Sequence, residues 1–265
     1  MLHFSGRVVW ITGAGSGLGR AMAEEFARQG ADVAVSGRRV ERLAATAAAV
    51  ERLARRAWIV PCDVRDGDAV RAAVARVAEW QGHVDVAVAN AGFGVVGRIA
   101  ELSVDDWRRQ FDTNVFGVLT VIQHALPELR KTRGRLALVG SVAGVLPSPG
   151  TGPYSASKFA LRAIGMTLAM ELAGSGVTCT TLQPGFVESD IARVDNDGHF
   201  DAAREDPRPR RLMWSADAAA RVMVRAIRRR KREATFTVHG RIGAFLGMHV
   251  PGLVCWLLRD RRQAR

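Results

Sequence analysis

Tyr154 is the only tyrosine in the 265-residue sequence, and Lys158 stands four positions after it in the stretch GPYSASKFAL. Four positions is just over one helical turn, so on a helix the phenol and the ammonium share a face. A free phenol titrates near ~10, too high for a base at neutral pH. A neighbouring ammonium favours the phenolate and lowers that value by roughly 1–3 units. The pair therefore reads as a general acid/base. Ser141, at the end of the apolar run GRLALVGS, adds a hydroxyl able to stabilise negative charge building on a carbonyl oxygen. Singly, each of these residues has a plain structural role: Tyr154 in a core, Lys158 solvated, Ser141 ending a strand, Asn114 a satisfied helix amide. Their conjunction carries the chemical reading.

Such side chains need a scaffold that brings them to one edge. Short β-branched runs alternate with longer alanine-rich amphipathic stretches along the chain. Strands are expected at 7–12, 31–37, 57–64, 84–92, 134–141, 177–185 and 234–240. Helices are expected at 18–30, 39–55, 68–80, 104–131, 154–173 and 216–230. Apolar strands separated by helices of ten residues or more predict a parallel sheet covered on both faces. With right-handed crossovers this is an α/β fold, a single-domain Rossmann-like doubly wound sheet of about seven strands. The catalytic domain is expected over 1–240, with 241–265 as an apolar and basic extension.

In such a sheet ligands bind beyond the carboxyl ends of the strands. The first strand runs into TGAGSGLG, which holds Gly13, Gly15, Ser16, Gly17, Leu18 and Gly19. Glycines there let the backbone turn sharply and approach a pyrophosphate at the positive end of the next helix. A ligand-free glycine turn is the plain alternative. The position between a strand and a helix favours a dinucleotide. The second strand ends in VSGRR, with Arg38 and Arg39 where an acidic residue would bind ribose hydroxyls. Guanidinium forks suit a phosphate, and cations at a helix N-terminus are otherwise mildly unfavourable. The expected cofactor is therefore NADP(H), with NAD(H) as the alternative.

The glycine loop, ANAG at 89–92, Asn114, Ser141 and YSASK at 154–158, in that order, resemble the short-chain dehydrogenase/reductase family in its shorter single-domain form. The resemblance spans roughly residues 5–240. It implies that Tyr154 exchanges the proton at the carbonyl oxygen, that Ser141 hydrogen-bonds that oxygen, and that Lys158 holds the nicotinamide ribose. It further implies that Asn114 orders a water in a relay through Lys158. Asp63 and Val64 would meet the adenine, and Asn90, Ala91 and Gly92 would lie under the cofactor. Pro184, Gly185 and Val187 would flank the nicotinamide. The chain departs from the family pattern at Ala89, at Ser16 (where some NADP-using members carry a basic residue) and at Ser189. The implied activity is an NADP(H)-dependent carbonyl reductase or alcohol dehydrogenase. A non-catalytic dinucleotide sensor or scaffold is the rival reading, and it has no need of a paired phenol and amine.

The substrate is expected to be a hydrophobic ketone, aldehyde or secondary alcohol, with Ser141, Phe93, Val142 and Phe186 beside it. The stretch after Pro184–Gly185, containing Ile191, Phe200, Leu212, Met213 and Trp214, is where the family carries a lid. The net charge is +12, and nearly all of the excess lies from Arg204 onward. It belongs to a C-terminal segment, and no nucleic-acid module accompanies it. Residues 242–258 are almost wholly apolar, broken at Pro251–Gly252 and flanked by arginines. This segment either packs on the domain or in a homo-oligomer, or makes peripheral membrane contact. Cys62, Cys179 and Cys255 show no paired spacing, so neither a disulfide nor a metal site is expected. The N-terminal stretch has no signal-like pattern, and a cytoplasmic location, with peripheral membrane contact as an extension, is expected.

Overall fold

The computed structural model describes residues 2–259. Seven parallel strands form one sheet: β1 (Val8–Thr12), β2 (Asp32–Ser36), β3 (Ala57–Ile59), β4 (Val86–Ala89), β5 (Arg135–Val139), β6 (Thr178–Gln183) and β7 (Glu233–Thr235). Their spatial order is β3-β2-β1-β4-β5-β6-β7. The order reverses between β1 and β4, paired through Val9–Val86 and Ile11–Val88. That reversal opens a crevice at the carboxyl ends of the strands.

Alternate residues of each strand feed two separate cores, as the pleat requires. Val9, Ile11, Val33, Val35, Val86 and Val88 point to one face. There they meet α1 (Gly17–Arg28), α2 (Val40–Glu51) and α7 (Ala216–Arg228) through Met22, Phe26, Leu43 and Met223. Val8, Trp10, Ala34, Ala87, Leu136 and Leu138 point to the other. They meet α3 (Gly67–Gln81), α5 (Gly117–Thr132) and α6 (Gly152–Glu171) through Val74, Ile122, Leu129 and Leu161. Trp10 is fully buried, and its indole N–H donates to Ser36 Oγ at 2.8 Å, which donates onward to the Val60 carbonyl at 2.6 Å. A buried indole without such a partner would cost stability.

Two expectations need correction. The stretch expected as one helix over 104–131 is α4 (Val104–Phe111) and α5 joined by a π-helical turn, Asp112–Phe116. The capping box of Ser103 and Asp106 starts α4. The wider turn holds one extra residue and re-aims Asn114 off the regular helical stripe. The strand expected over 234–240 ends at Thr235. Thr237 is fully buried, and its side chain accepts the Gly240 N–H, capping a helix α8 (Val238–His249). A short helix α9 (Pro251–Leu258) follows, and Pro251 fits its first turn.

Candidate active site

The cleft at the sheet's carboxyl edge measures about 830 Å³. Its floor is the loop from Gly13 to Gly19, between β1 and α1. Gly13 has φ +63°, and a Cβ on it would lie 2.7 Å from the Ala91 Cα. A Cβ on Gly19 would strike the Gly13 carbonyl oxygen and Asn90 Nδ2. This loop is therefore closed to side chains and open to a ligand that must approach backbone.

Asn90 explains how the loop keeps its shape. Its Nδ2 donates to the Thr12 carbonyl at 2.9 Å and to the Gly13 carbonyl at 3.1 Å. Thr12 Oγ1 in turn accepts the N–H groups of Asn90 and Ala91 at 3.1 and 3.2 Å. The end of β4 and the glycine loop are locked to each other across the switch point. Asn90 lines the cleft, but its amide is committed to the protein.

At one end the cleft is rimmed by Arg38, Arg39 and Arg42. Among the described residues these three form no ion pair, whereas Arg65 pairs with Asp63 at 2.6 Å and Arg208 with Asp206 at 2.7 Å. Partial burial opposes ionisation of Asp63, but hydrogen bonds from Arg65 outweigh it and hold the carboxyl below its usual range. The guanidinium groups of Arg39 and Arg42 lie 5.7 and 5.4 Å from the centroid of the Phe200 ring. Phe200 belongs to a small hairpin in which Val194 bridges Phe200 and the Asp195 N–H donates to the His199 carbonyl at 2.9 Å. The hairpin is also tied down by Asn196, which exchanges hydrogen bonds of 3.0 and 2.9 Å with the Val96 backbone.

At the other end stand Ser141, Tyr154 and Lys158. Pro153 in the first turn of α6 suits a helix start, and the helix then carries Tyr154 and Lys158 on one face as their spacing predicts. Lys158 is buried, and its Nζ donates to the Val139 carbonyl at 2.9 Å. Burial brings its ammonium down to about 8. Burial raises the Tyr154 phenol, against a hydrogen bond with Ser141 and the nearby Arg208 cation, which both pull it down. The expected lowering of Tyr154 by Lys158 is thus reversed. Loss of solvent is the largest influence on each group, and the Lys158 ammonium, 5.7 Å from the tyrosine ring centroid, is turned to Val139. Ser141 Oγ accepts the Ala143 N–H at 3.1 Å, and its O–H is directed to the Tyr154 phenol.

All the expected cofactor residues line this one cleft: Gly13, Gly15, Ser16, Gly17, Leu18 and Gly19 of the loop; Arg38, Arg39, Asp63 and Val64; Asn90, Ala91 and Gly92; Tyr154 and Lys158; and Pro184, Gly185 and Val187. Three other expected residues lie elsewhere. Asn114 is fully buried behind the cleft, its Oδ1 accepting the Phe93 N–H and its Nδ2 donating to the Phe93 carbonyl at 3.0 Å and to Ser157 Oγ. It fixes the backbone of Phe93, which does reach the cleft. Val142 turns away toward α8, packing near Gly240 and Gly243. Phe186 stacks on His239 at 5.3 Å, outside the cleft. The lining residues not foreseen from sequence as contacts include Arg42, Ser189 and Arg208. Arg208 clamps the chain after Pro184–Gly185 by donating to the Val187 and Ser189 carbonyls at 3.0 and 3.1 Å.

The profile of the short chain dehydrogenase family matches residues 7–199. The chain belongs to that family. Similar members include a 3beta-hydroxysteroid dehydrogenase of Mediterraneibacter gnavus, 35% identical over 72% of this chain and 70% of that protein. A sulfoacetaldehyde reductase of Chromohalobacter salexigens is 39% identical over 72% of this chain and 76% of its own. A short chain dehydrogenase of Burkholderia cenocepacia, solved in complex with NADP, superposes with a TM-score of 0.75 at 30% identity, covering 87% of this chain and 96% of the other. As a short-chain dehydrogenase this protein is an oxidoreductase with a site for a nicotinamide dinucleotide, and its substrate is a small molecule.

Proposed function

We propose that the protein is an NADP(H)-dependent oxidoreductase that interconverts a carbonyl and a secondary alcohol on a hydrophobic small molecule, with Tyr154 as the acid/base. One observation carries the reading: Tyr154, Ser141 and Lys158 open into the same cleft as the glycine loop and the arginine rim. The cradle fits the cofactor by its composition, since the glycine loop, Asp63 and the arginine rim line the same cleft.

Gly13 to Gly19 would hold the pyrophosphate at the N-terminus of α1. Arg38, Arg39 and Arg42, which form no ion pair among the described residues, favour a 2′-phosphate and hence NADP(H) over NAD(H). Lys158 would hold the nicotinamide ribose. When bound, the dinucleotide supplies or takes up a hydride at the carbonyl carbon. Ser141 donates its O–H to the carbonyl oxygen and steadies the charge growing there. Tyr154 delivers its proton to that oxygen in reduction and recovers it in oxidation. The raised pKa of the phenol keeps it protonated at neutral pH, the form that reduction needs. Phe93, Ile191 and Val194 add apolar lining to the cleft, which suits a hydrophobic substrate.

The test is Tyr154→Phe, which removes one oxygen. NADPH affinity is expected to stay within about twofold, while turnover of any carbonyl found by screening falls by at least about a thousandfold. Equal loss of binding and turnover would make Tyr154 structural. Full retention of turnover would remove it from the chemistry.

A further inference from the structure

The last two described helices are built inside out for a water-exposed position. On α8 the small residues Gly240 and Ala244 are buried, while Ile242 and Phe245 are 56% and 59% exposed. On α9 Val254 is buried, while Leu253, Trp256 and Leu257 are 50%, 51% and 51% exposed. The close fit of Gly243 and Gly247 against Val142, Val145 and Leu146 seats α8 on the 3-10 turn that follows Ser141. The large apolar side chains of α8 and α9 thus remain in water, exposure of the kind that marks an interaction surface.

The charge around this patch selects its occupant. Residues 234–259 contain no Asp or Glu, whereas Arg241 and Arg259 stand near its two ends and the whole chain carries +12. Arg259 lies over the Trp256 ring at 5.3 Å, a paired cation and indole suited to a headgroup layer. A second copy docked by two-fold symmetry would bring arginine rim against arginine rim with no carboxylate of the segment to offset it. An anionic lipid surface offers both the apolar layer and the opposite charge. Crossing is disfavoured by geometry: the two helices bend by 116°, and among the described residues no single helix is long and apolar enough to span a bilayer.

We propose that α8 and α9 together form an interfacial anchor that seats this protein on an anionic bilayer. This surface is independent of the assigned chemistry. The Phe186 N–H donates to His239 Nε2 at 3.0 Å, which ties the start of α8 to the chain just after Gly185.

Flotation of the full chain tests it, using vesicles of phosphatidylcholine alone and of phosphatidylcholine mixed equally with phosphatidylglycerol. The wild type is expected to float with the anionic vesicles and to remain behind with the neutral ones, with binding weakened by high salt. The double variant L253E/L257E alters two half-exposed side chains, so folding and NADPH affinity should hold while vesicle binding drops by about tenfold or more. Light scattering on the same samples reports self-association. Failure of the wild type to float, equal flotation of the variant, or a wild-type dimer that L253E/L257E splits would each overturn the anchor. Equal flotation with neutral vesicles would overturn its selectivity for anionic lipid.

Discussion

The Lys158 ammonium donates to the Val139 carbonyl at 2.9 Å, which ties the helix bearing Tyr154 to the end of the central strand β5. Burial brings the Lys158 ammonium down to about 8, well below an ordinary lysine, against this hydrogen bond, which favours the charged form. Between about 8 and the unfolded value of ~10.4, the unfolded chain holds a proton that the folded chain has released. Stability therefore rises with pH across this window and carries a standing cost below it. The Tyr154 phenol, raised by burial, acts in the opposite sense and only above ~10. Lys158→Met removes the titrating group. Urea midpoints at pH 7.5 and 9.5 should show the wild type gaining stability relative to K158M at the higher pH. A constant difference would mean that the ammonium is not buried in solution. The same titration predicts that carbonyl reduction falls as pH rises through about 8.

Asn90 locks the glycine loop to β4 by donating to two carbonyls. Asn90→Ala leaves both acceptors short of a partner, at ~1–3 kcal/mol. Denaturant unfolding should show that loss, and dinucleotide affinity should fall by about tenfold because the loop is no longer held open. A variant with the stability loss but full affinity would show that the loop keeps its shape without Asn90.

Phe200 sits against two arginines of the cleft rim. Such contacts at exposed sites are worth ~0.5–1 kcal/mol each. Phe200→Ala should weaken NADPH binding by about five- to tenfold, near ~1 kcal/mol, as the arginines lose their support. Melting temperature should hardly move, because the hairpin lies outside both cores. Unchanged affinity would mean that the hairpin does not order the rim.

The parts of the site legible in sequence are those fixed by local spacing. Tyr154 and Lys158 are one helical turn apart, and the glycines between β1 and α1 follow the backbone's own needs. The alternating burial of Val8 and Trp10 against Val9 and Ile11 follows from the strand period. Arg42 was within reach of similar logic, since it stands in the first turn of α2, which Arg39 precedes. What escaped depends on distant partners. Asn114 turns inward because a π-helical turn aims it at Phe93, 21 residues away in sequence. Phe186 leaves the cleft for His239, and Arg208 enters it through the carbonyls of Val187 and Ser189. The strand expected through residue 240 stops early because a buried Thr237 caps α8, and a run of β-formers cannot reveal that choice.

We propose a phosphate-selective dinucleotide site in the cleft that holds Tyr154. Calorimetric titration of the protein with NADPH and with NADH tests it most directly, repeated on Arg38→Asp. NADPH should bind more tightly, by about tenfold or more, with the preference lost or inverted in R38D. Equal affinity for the two nucleotides, or an NADPH preference that survives R38D, would contradict the reading of the rim. Binding of neither would remove the cofactor from the cleft altogether.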